Sequence, residues 1–276
     1  MIHRPGIRPI PDRVSQICHF GEWLQGRLGP DGPVALVTLV PESVRLRALR
    51  LPYAGCGLAG MPGAVTALVL RGFLRSLGLP DQGRFVLRPP FAPGLGTGMS
   101  TASLVATARL AGFRGEPSVL ARACIAVEGA SDPLMFARPD RLLWASRQGR
   151  ILAHLPAVPR AHLVAGFWGP PLLTRATDQG YDDIADLVAG WKRARSLSDS
   201  AALASESAAR CLGRRGPADD PTPQLARSLG ALGWAMSHSG AARALIFAPG
   251  HLPPQGIEAV REAGLRGVRL LATGNR

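Results

Sequence analysis

Hydrophobic and polar positions change period many times along the chain. Residues 14–20 and 34–40 are short apolar runs rich in valine, isoleucine and leucine, and they predict strands separated by Gly29, Pro30, Asp31, Gly32 and Pro33. Residues 43–50 set Val44, Leu46 and Ala48 against Arg45, Arg47 and Arg50, which predicts a half-exposed strand. Residues 64–77 have helical spacing and are stopped by Gly78 and Pro80; residues 84–88 predict a short strand. An Ala/Thr/Leu/Val stretch over 99–110 predicts a buried helix, and 117–127 a second one with Pro117 in its first turn. Residues 142–155 alternate like a hairpin turning at Gln148 and Gly149, and 162–167 reads as a buried strand. Helical stretches follow at 181–195, 199–211 and 222–235, then a strand at 244–248, a helix at 254–263 and a strand at 268–272. Strands occur in adjacent pairs as well as between helices, so the pattern predicts an α+β fold rather than a doubly wound parallel sheet. Pro156 and Pro159 mark the expected boundary between two halves, 1–156 and 157–276.

Composition narrows the class. The 276 residues are 46% hydrophobic and 18% charged, enough to bury a core. The net charge of +13 comes almost wholly from arginine, with Lys192 the only lysine. Such a balance suits anionic partners, and a guanidinium suits phosphate. The arginines are scattered, and aromatic residues make up only 5%, which argues against a base-stacking nucleic-acid surface. Cys18, Cys56, Cys124 and Cys211 lie far apart with no metal-like spacing, and are expected as reduced thiols in a cytoplasmic protein. The N-terminal 13 residues have no apolar stretch of the kind a signal peptide needs. Residues 51–70 carry no charge, but Pro52, Gly55, Gly57, Gly60, Pro62 and Gly63 break them up, which predicts a turn-rich segment feeding a buried helix rather than a membrane span.

Four segments can carry chemistry. The first is Pro93-Gly94-Leu95-Gly96-Thr97-Gly98-Met99-Ser100-Thr101, three glycines leading into a helix whose first turn holds hydroxyls. A helix N-terminus offers unpaired N–H groups, and glycines let the backbone approach a phosphate. The spacing fits neither a dinucleotide fingerprint nor a lysine-bearing phosphate loop; a plain capped glycine turn is the alternative. The second, Glu128-Gly129-Ala130-Ser131-Asp132-Pro133, sets two carboxylates four positions apart, as Mg²⁺ binding and proton removal in phosphoryl transfer require, unless Asp132 only shapes a turn. The third, Met236-Ser237-His238-Ser239-Gly240, suits close approach of an anion or, equally, a helix C-cap with a left-handed Gly240. The fourth is Cys18-His19-Phe20-Gly21-Glu22-Trp23-Leu24-Gln25-Gly26, in which two glycines bracket Glu22 and Gln25; its bland reading is a strand bend and a surface loop.

In order and type these segments resemble the GHMP kinases, most closely the L-threonine kinase branch. Cys18, Gly21, Glu22, Gln25 and Gly26, then Asp31 and Gly32, are similar to that branch's opening motif, with His19-Phe20 inserted. Residues 94–102 resemble the family's phosphate loop, with Leu95 in place of a lysine sometimes found there and Met99 in place of a serine. Residues 125–132 and His238-Ser239-Gly240 resemble the third and fourth motifs. The resemblance implies a ribosomal-S5-like N-terminal domain, a ferredoxin-like C-terminal domain, and ATP and Mg²⁺ in the cleft between them. It implies that residues 93–101 with Ser239 and Gly240 cradle ATP, and that Ser100 and Glu128 hold Mg²⁺. Asp132 then orients or deprotonates the hydroxyl, although the two carboxylates could exchange roles. Glu22, Gln25 and His238 are the candidates for acceptor contact, the acceptor being a small molecule such as L-threonine. A monomer or homodimer without membrane or nucleic-acid partner is expected. The rival readings are a kinase for homoserine or an isoprenoid alcohol, and a non-catalytic nucleotide- or nucleic-acid-binding relative.

Overall fold

The computed structural model describes residues 11–60, 65–172 and 177–274. Alternation and apolar runs become two sheets. In the smaller, β1 (Arg13–Ile17), β4 (Arg45–Leu51), β6 (Gly83–Arg88) and β5 (Cys56–Ala59) lie in that order, antiparallel except for the parallel β5–β6 pair. The larger is antiparallel and runs β12 (Arg266–Thr273), β9 (Ala161–Phe167), β11 (Ala242–Phe247), β10 (Gly233–Met236), β2 (Glu22–Arg27), β3 (Val34–Thr38), β7 (Leu142–Ala145) and β8 (Arg150–His154). The strands of the two chain halves meet at one pairing, Met236 opposite Glu22. The segment 155–160 links β8, at one edge, to β9, next to the other.

The smaller sheet is covered by α1 (Ala67–Ser76) and α2 (Met99–Leu110), and α3 (Pro117–Glu128) packs against these two helices. The α2 helix is buried nearly all round, so small side chains are needed to let it sit against β1 and β4. Its buried hydroxyls are satisfied within the helix: Ser103 Oγ donates to Met99 O at 2.6 Å and Thr107 Oγ1 to Ser103 O at 2.8 Å. On the larger sheet lie α4 (Ala185–Arg193), α5 (Leu197–Arg215), α6 (Thr222–Ser228) and α7 (Gly256–Glu262). A capping box starts α5: Ser196 Oγ accepts from Asp199 N and Asp199 Oδ2 from Ser196 N.

The mixed helix-and-sheet fold and most elements match the sequence pattern, and six readings need correction. Residues 22–27, read as a bend and loop, form the buried central strand β2, because Trp23 and Leu24 bury on one sheet while Glu22 and Gln25 find partners across it. The stretch 56–59 is a strand, paired in parallel with β6. The helix expected over 222–235 stops at Ser228; Gly230 has φ +67° and Gly233–Met236 turn into β10. Residues 236–242 are consequently a β-hairpin turn, not a helix C-cap, although Gly240 does have positive φ, +100°. Residues 181–184 precede α4 rather than belonging to it. The α1 helix is amphipathic rather than buried, with Leu70, Phe73 and Leu74 inside and Leu68 outside. Residues 1–10 and Pro62, Gly63 and Ala64 lie outside the described residues. Among the described residues no helix is long and apolar enough to cross a membrane.

The site-bearing hairpin is anchored by Arg243 on β11. Its side chain is 2% exposed, and Nε donates to Asp220 Oδ2 at 2.6 Å, a carboxylate that is itself wholly buried. Removing one partner leaves a buried charge uncompensated, so Asp220→Ala is expected to destabilise the protein by about 3 kcal/mol or more. Chemical denaturation checks this; an unchanged midpoint would show that water replaces the carboxylate.

Candidate active site

All three loop glycines have left-handed φ: +80° at Gly94, +76° at Gly96 and +67° at Gly98. This winding turns the carbonyls away to fixed donors. Gly94 O accepts from Leu172 N at 2.8 Å, Leu95 O from Ala242 N at 2.9 Å and Gly96 O from Gly21 N at 3.1 Å. The N–H groups of residues 96–101 find no acceptor among the described residues, the first acceptor–donor pair of α2 being Gly98 O with Ala102 N. A β-carbon on Gly96 would lie 2.2 Å from the Ser237 side chain, and one on Gly240 2.5 Å from Gly96 N, so loop and hairpin turn touch backbone to backbone. The result is an N–H-rich, concave helix entrance of the kind that takes an anion.

The first turn of α2 faces the end of α3. Ser100 Oγ donates to Glu128 Oε1, and Thr101 Oγ1 donates to Glu128 Oε2 at 3.0 Å. Thr101 Oγ1 also accepts from Asp132 N at 3.3 Å, which ties the segment after α3 to the same turn. Burial pushes the Glu128 carboxyl up to about 7, against the pull of the Ser100 and Thr101 hydroxyls and with repulsion from Asp132 adding to the rise. Among the described residues no arginine or lysine pairs with Glu128. A buried carboxylate and a hydroxyl at a helix N-terminus, lacking a cationic side chain, fit a hard divalent cation held beside a phosphate.

The His19 ring pairs with Asp132, its Nε2 lying 3.2 Å from Asp132 Oδ2. The other ring nitrogen, Nδ1, lies 3.2 Å from Gly21 O. A carbonyl and an ionised carboxylate only accept, so the two contacts suit a ring that donates from both nitrogens, an imidazolium. Burial opposes that charge, but the charge and hydrogen bond of Asp132, then Glu22, outweigh it and raise His19 to about 9. His19, Glu22 and Asp132 place ligand-type atoms within 4.8 Å of one another. A ring that donates from both nitrogens has no lone pair left for a metal, so Ser100 and Glu128 are the better cation holders.

Glu22 and Gln25 stand three positions apart on β2, which ordinarily sends side chains to opposite faces. A bulge between Glu22 and Leu24 adds one residue against β3 and brings both toward the hairpin turn. Glu22 Oε2 accepts from His238 N at 3.2 Å, and Gln25 Nε2 donates to Met236 O at 2.9 Å. Burial raises the Glu22 carboxyl to about 7, with His19 opposing the rise and Asp132 adding to it. His238 stacks on Tyr181 with ring centroids 4.0 Å apart; burial, with Arg215 adding to it, lowers the imidazole to about 3, so it is neutral.

These groups share one cavity of about 370 Å³. Of the residues singled out in the sequence, Gly94, Gly96, Thr97, Gly98, Met99, Ser100, Thr101, Glu128, Asp132, Glu22, Gln25, His238 and Ser239 line it. Pro93, Leu95 and Gly240 do not; Leu95 packs on the core and Gly240 backs the loop. His19, Ser131, Ser146 and Tyr181 also line it and were not assigned a role from sequence. His19 sits within the Cys18–Gly26 segment as an insertion and Ser131 within the Glu128–Pro133 segment, which were their only signals; Ser146 and Tyr181 come from segments with no motif.

No family model matches the chain, and no curated protein matches it in sequence. Solved structures do match. A mevalonate kinase superposes with TM-score 0.68 at 8% identity, covering 95% of this chain and 98% of that one. The Methanococcus jannaschii mevalonate kinase gives 0.65 at 9%, covering 96% and 98%. A homoserine kinase from Cytophaga hutchinsonii gives 0.62 at 15%, covering 99% and 98%. The chain therefore has, over nearly its full length, the fold found in these small-molecule kinases.

Two outcomes follow from this geometry. His19, Glu22 and Glu128 all hold protons more tightly folded than unfolded, so the folded state binds the extra protons and stability falls as pH rises. The carboxyls act from about 4.5 to about 7; the His19 contribution is complete below 6.5 and is lost as pH passes through about 9. Denaturation midpoints across pH 5–10 should decline, and His19→Gln should flatten the decline above pH 6.5; an identical slope in that variant would refute the imidazolium. Gly96→Ala, which strains a left-handed φ and collides with Ser237, is expected to lower stability by about 2 kcal/mol, whereas Gly72→Ala, whose added carbon meets nothing, serves as the control.

Proposed function

We propose that this protein is an ATP-dependent kinase that phosphorylates an alcohol hydroxyl, with L-threonine as the acceptor suggested by the sequence resemblance. The observation that carries the reading is the Ser100–Glu128–Thr101–Asp132 chain of hydrogen bonds, set directly at the N-terminus that the glycine loop feeds. The kinase fold supports it, as does the order of the four motifs. As part of this reading we keep an N-terminal domain over 1–156, ribosomal-S5-like, a ferredoxin-like one over 157–276, and a cytoplasmic location.

ATP supplies the phosphoryl group, and Mg²⁺ offsets its charge. The N–H groups of residues 96–101 would hold the phosphates, with Ser239 on the opposite wall. Ser100 Oγ and Glu128 would hold the cation. Asp132 takes the proton of the acceptor hydroxyl as its oxygen bonds to the γ-phosphorus and the bond from phosphorus to the β,γ-bridging oxygen breaks. His19, by donating to Asp132, keeps that carboxylate turned to the cavity. In this reading Asp132, held by His19, is the base and Glu128, beside the Ser100 and Thr101 hydroxyls, is the cation ligand. Positioning and charge neutralisation carry the rate rather than covalent chemistry.

Release of ADP from Mg-ATP, compared with L-threonine, L-serine, L-homoserine and no acceptor, tests the reading; stimulation by L-threonine is expected, stimulation by another alcohol moves the acceptor, and none with any of them removes the threonine assignment. Asp132→Asn should lower kcat by about 10²-fold or more with nucleotide affinity retained. Near-normal turnover in that variant would remove Asp132 from the mechanism.

A further inference from the structure

The smaller sheet has two unlike faces. Leu46, Ala48, Phe85 and Leu87 are buried beneath the helices, and the alternate positions of the same strands point the other way. That outer face gathers arginines that lie far apart in the sequence: Arg13 on β1, Arg45 and Arg47 on β4, Arg84 and Arg88 on β6. The four strands contain no Asp or Glu. Arg45 is held by Ser15, to whose Oγ its Nε donates at 2.8 Å. Arg13, Arg47, Arg84 and Arg88 are exposed, and their side chains make no hydrogen bond or ion pair among the described residues. Residues 1–10, 61–64, 173–176 and 275–276 contain no Asp or Glu, so those segments hold no acidic side chain for them either.

Strand register concentrates the charge. Arg47 stands directly opposite Arg88, and like charges so placed repel. The flanking rungs set Arg13 beside Leu49 and Val86, and Leu51 beside Arg84 and Gly57. Nothing within the sheet offsets this repulsion, so the array suits an anionic partner. A second feature stands at its edge. Tyr53, just past β4, is 56% exposed. A β-carbon on Gly55 would lie 3.3 Å from its Cε1, and one on Gly57 would lie 3.5 Å from its Cδ1 and 3.3 Å from Arg84 Cγ. The ring therefore rests on two glycines, beside a free guanidinium, and stays open to solvent.

We infer that this face binds single-stranded nucleic acid, with phosphates on Arg13, Arg47, Arg84 and Arg88 and a base stacked on Tyr53. Arginines that track a backbone and an open ring beside them are the two elements such binding uses. The other occupants fit less well. A second copy of the chain would set like charge against like. A membrane surface calls for apolar side chains that project past the arginines, but Leu49 and Val86 between them are half-buried and Tyr53 is laid on the strand. A duplex keeps its bases paired and offers none to the ring. None of these residues lines the cavity at the start of α2, so the inference goes beyond the kinase reading and stands apart from it.

The test is fluorescence anisotropy of the full chain with a labelled oligouridylate of about 12 nucleotides. Four neutralised phosphates predict a slope of log K against log salt of about −2.8, which is about 50-fold weaker binding at about 200 mM than at about 50 mM salt. Arg47→Ser combined with Arg88→Ser should bring the slope to about −1.4, and with the cross-strand repulsion gone the denaturation midpoint should stay level or rise. Tyr53→Ser should weaken binding about 5-fold or more and leave the slope unchanged. Absence of binding at the lower salt, tighter binding of a duplex of equal length, equal competition by polyglutamate, or wild-type affinity in both variants overturns the assignment. So does binding to phosphatidylserine vesicles without binding to the oligonucleotide. Because the single strand, duplex, polyglutamate and vesicles are all tried on the wild-type chain, a variant that fails to fold does not remove the test.

Discussion

The site depends on one backbone constraint, the left-handed winding of Gly94, Gly96 and Gly98. Only glycine adopts three such residues in so short a loop without steric cost. The winding directs successive carbonyls to Leu172, Ala242 and Gly21, donors from three separate parts of the chain. The loop is therefore clamped between the strand segment that carries Glu22 and the hairpin that carries His238. Its N–H groups are presented together because its carbonyls are held.

From that clamp the remaining geometry follows. Gly98 lets the His19 ring sit where a β-carbon would lie 2.4 Å from its Cδ2, and the ring then bridges to Asp132. Fixing the start of α2 brings Ser100 and Thr101 against Glu128 at the end of α3. The bulge in β2 brings Glu22 and Gln25 to the turn that Gly240 permits to touch the loop. Carboxylates wholly or partly withdrawn from water are costly, and each here is met by a different device: hydroxyls for Glu128, the His19 ring for Asp132, a backbone N–H for Glu22. These separate environments give like side chains unlike roles.

The sequence carried much of this because short-range rules govern it. The start of α2 after Gly98 was legible since glycines followed by Ser100 and Thr101 make a helix entrance whatever the rest of the chain does. The β7–β8 hairpin was legible from alternation about Gln148 and Gly149. The strand β2 was not, because a bulged central strand breaks period two, and a sequence reading has no means to see Trp23 as the extra residue. The strand β10 was hidden for a related reason: Gly233–Met236 is four residues of small and apolar type that extend a helical pattern until pairing with β11 decides otherwise.

By itself, then, the sequence determined the local devices: where helices begin, which glycines can wind left-handed, and which carboxylates and hydroxyls stand near a phosphate-type loop. Tertiary structure decided the partnerships. That His19 is charged depends on Gly21 O and on Asp132, which lies over a hundred residues away. That Glu22 and Gln25 meet one turn depends on Met236 and His238, at the far end of the chain. The physical reason is that propensity and capping act over a few residues of backbone, whereas charge, burial and hydrogen-bond satisfaction depend on what the folded chain places opposite each group.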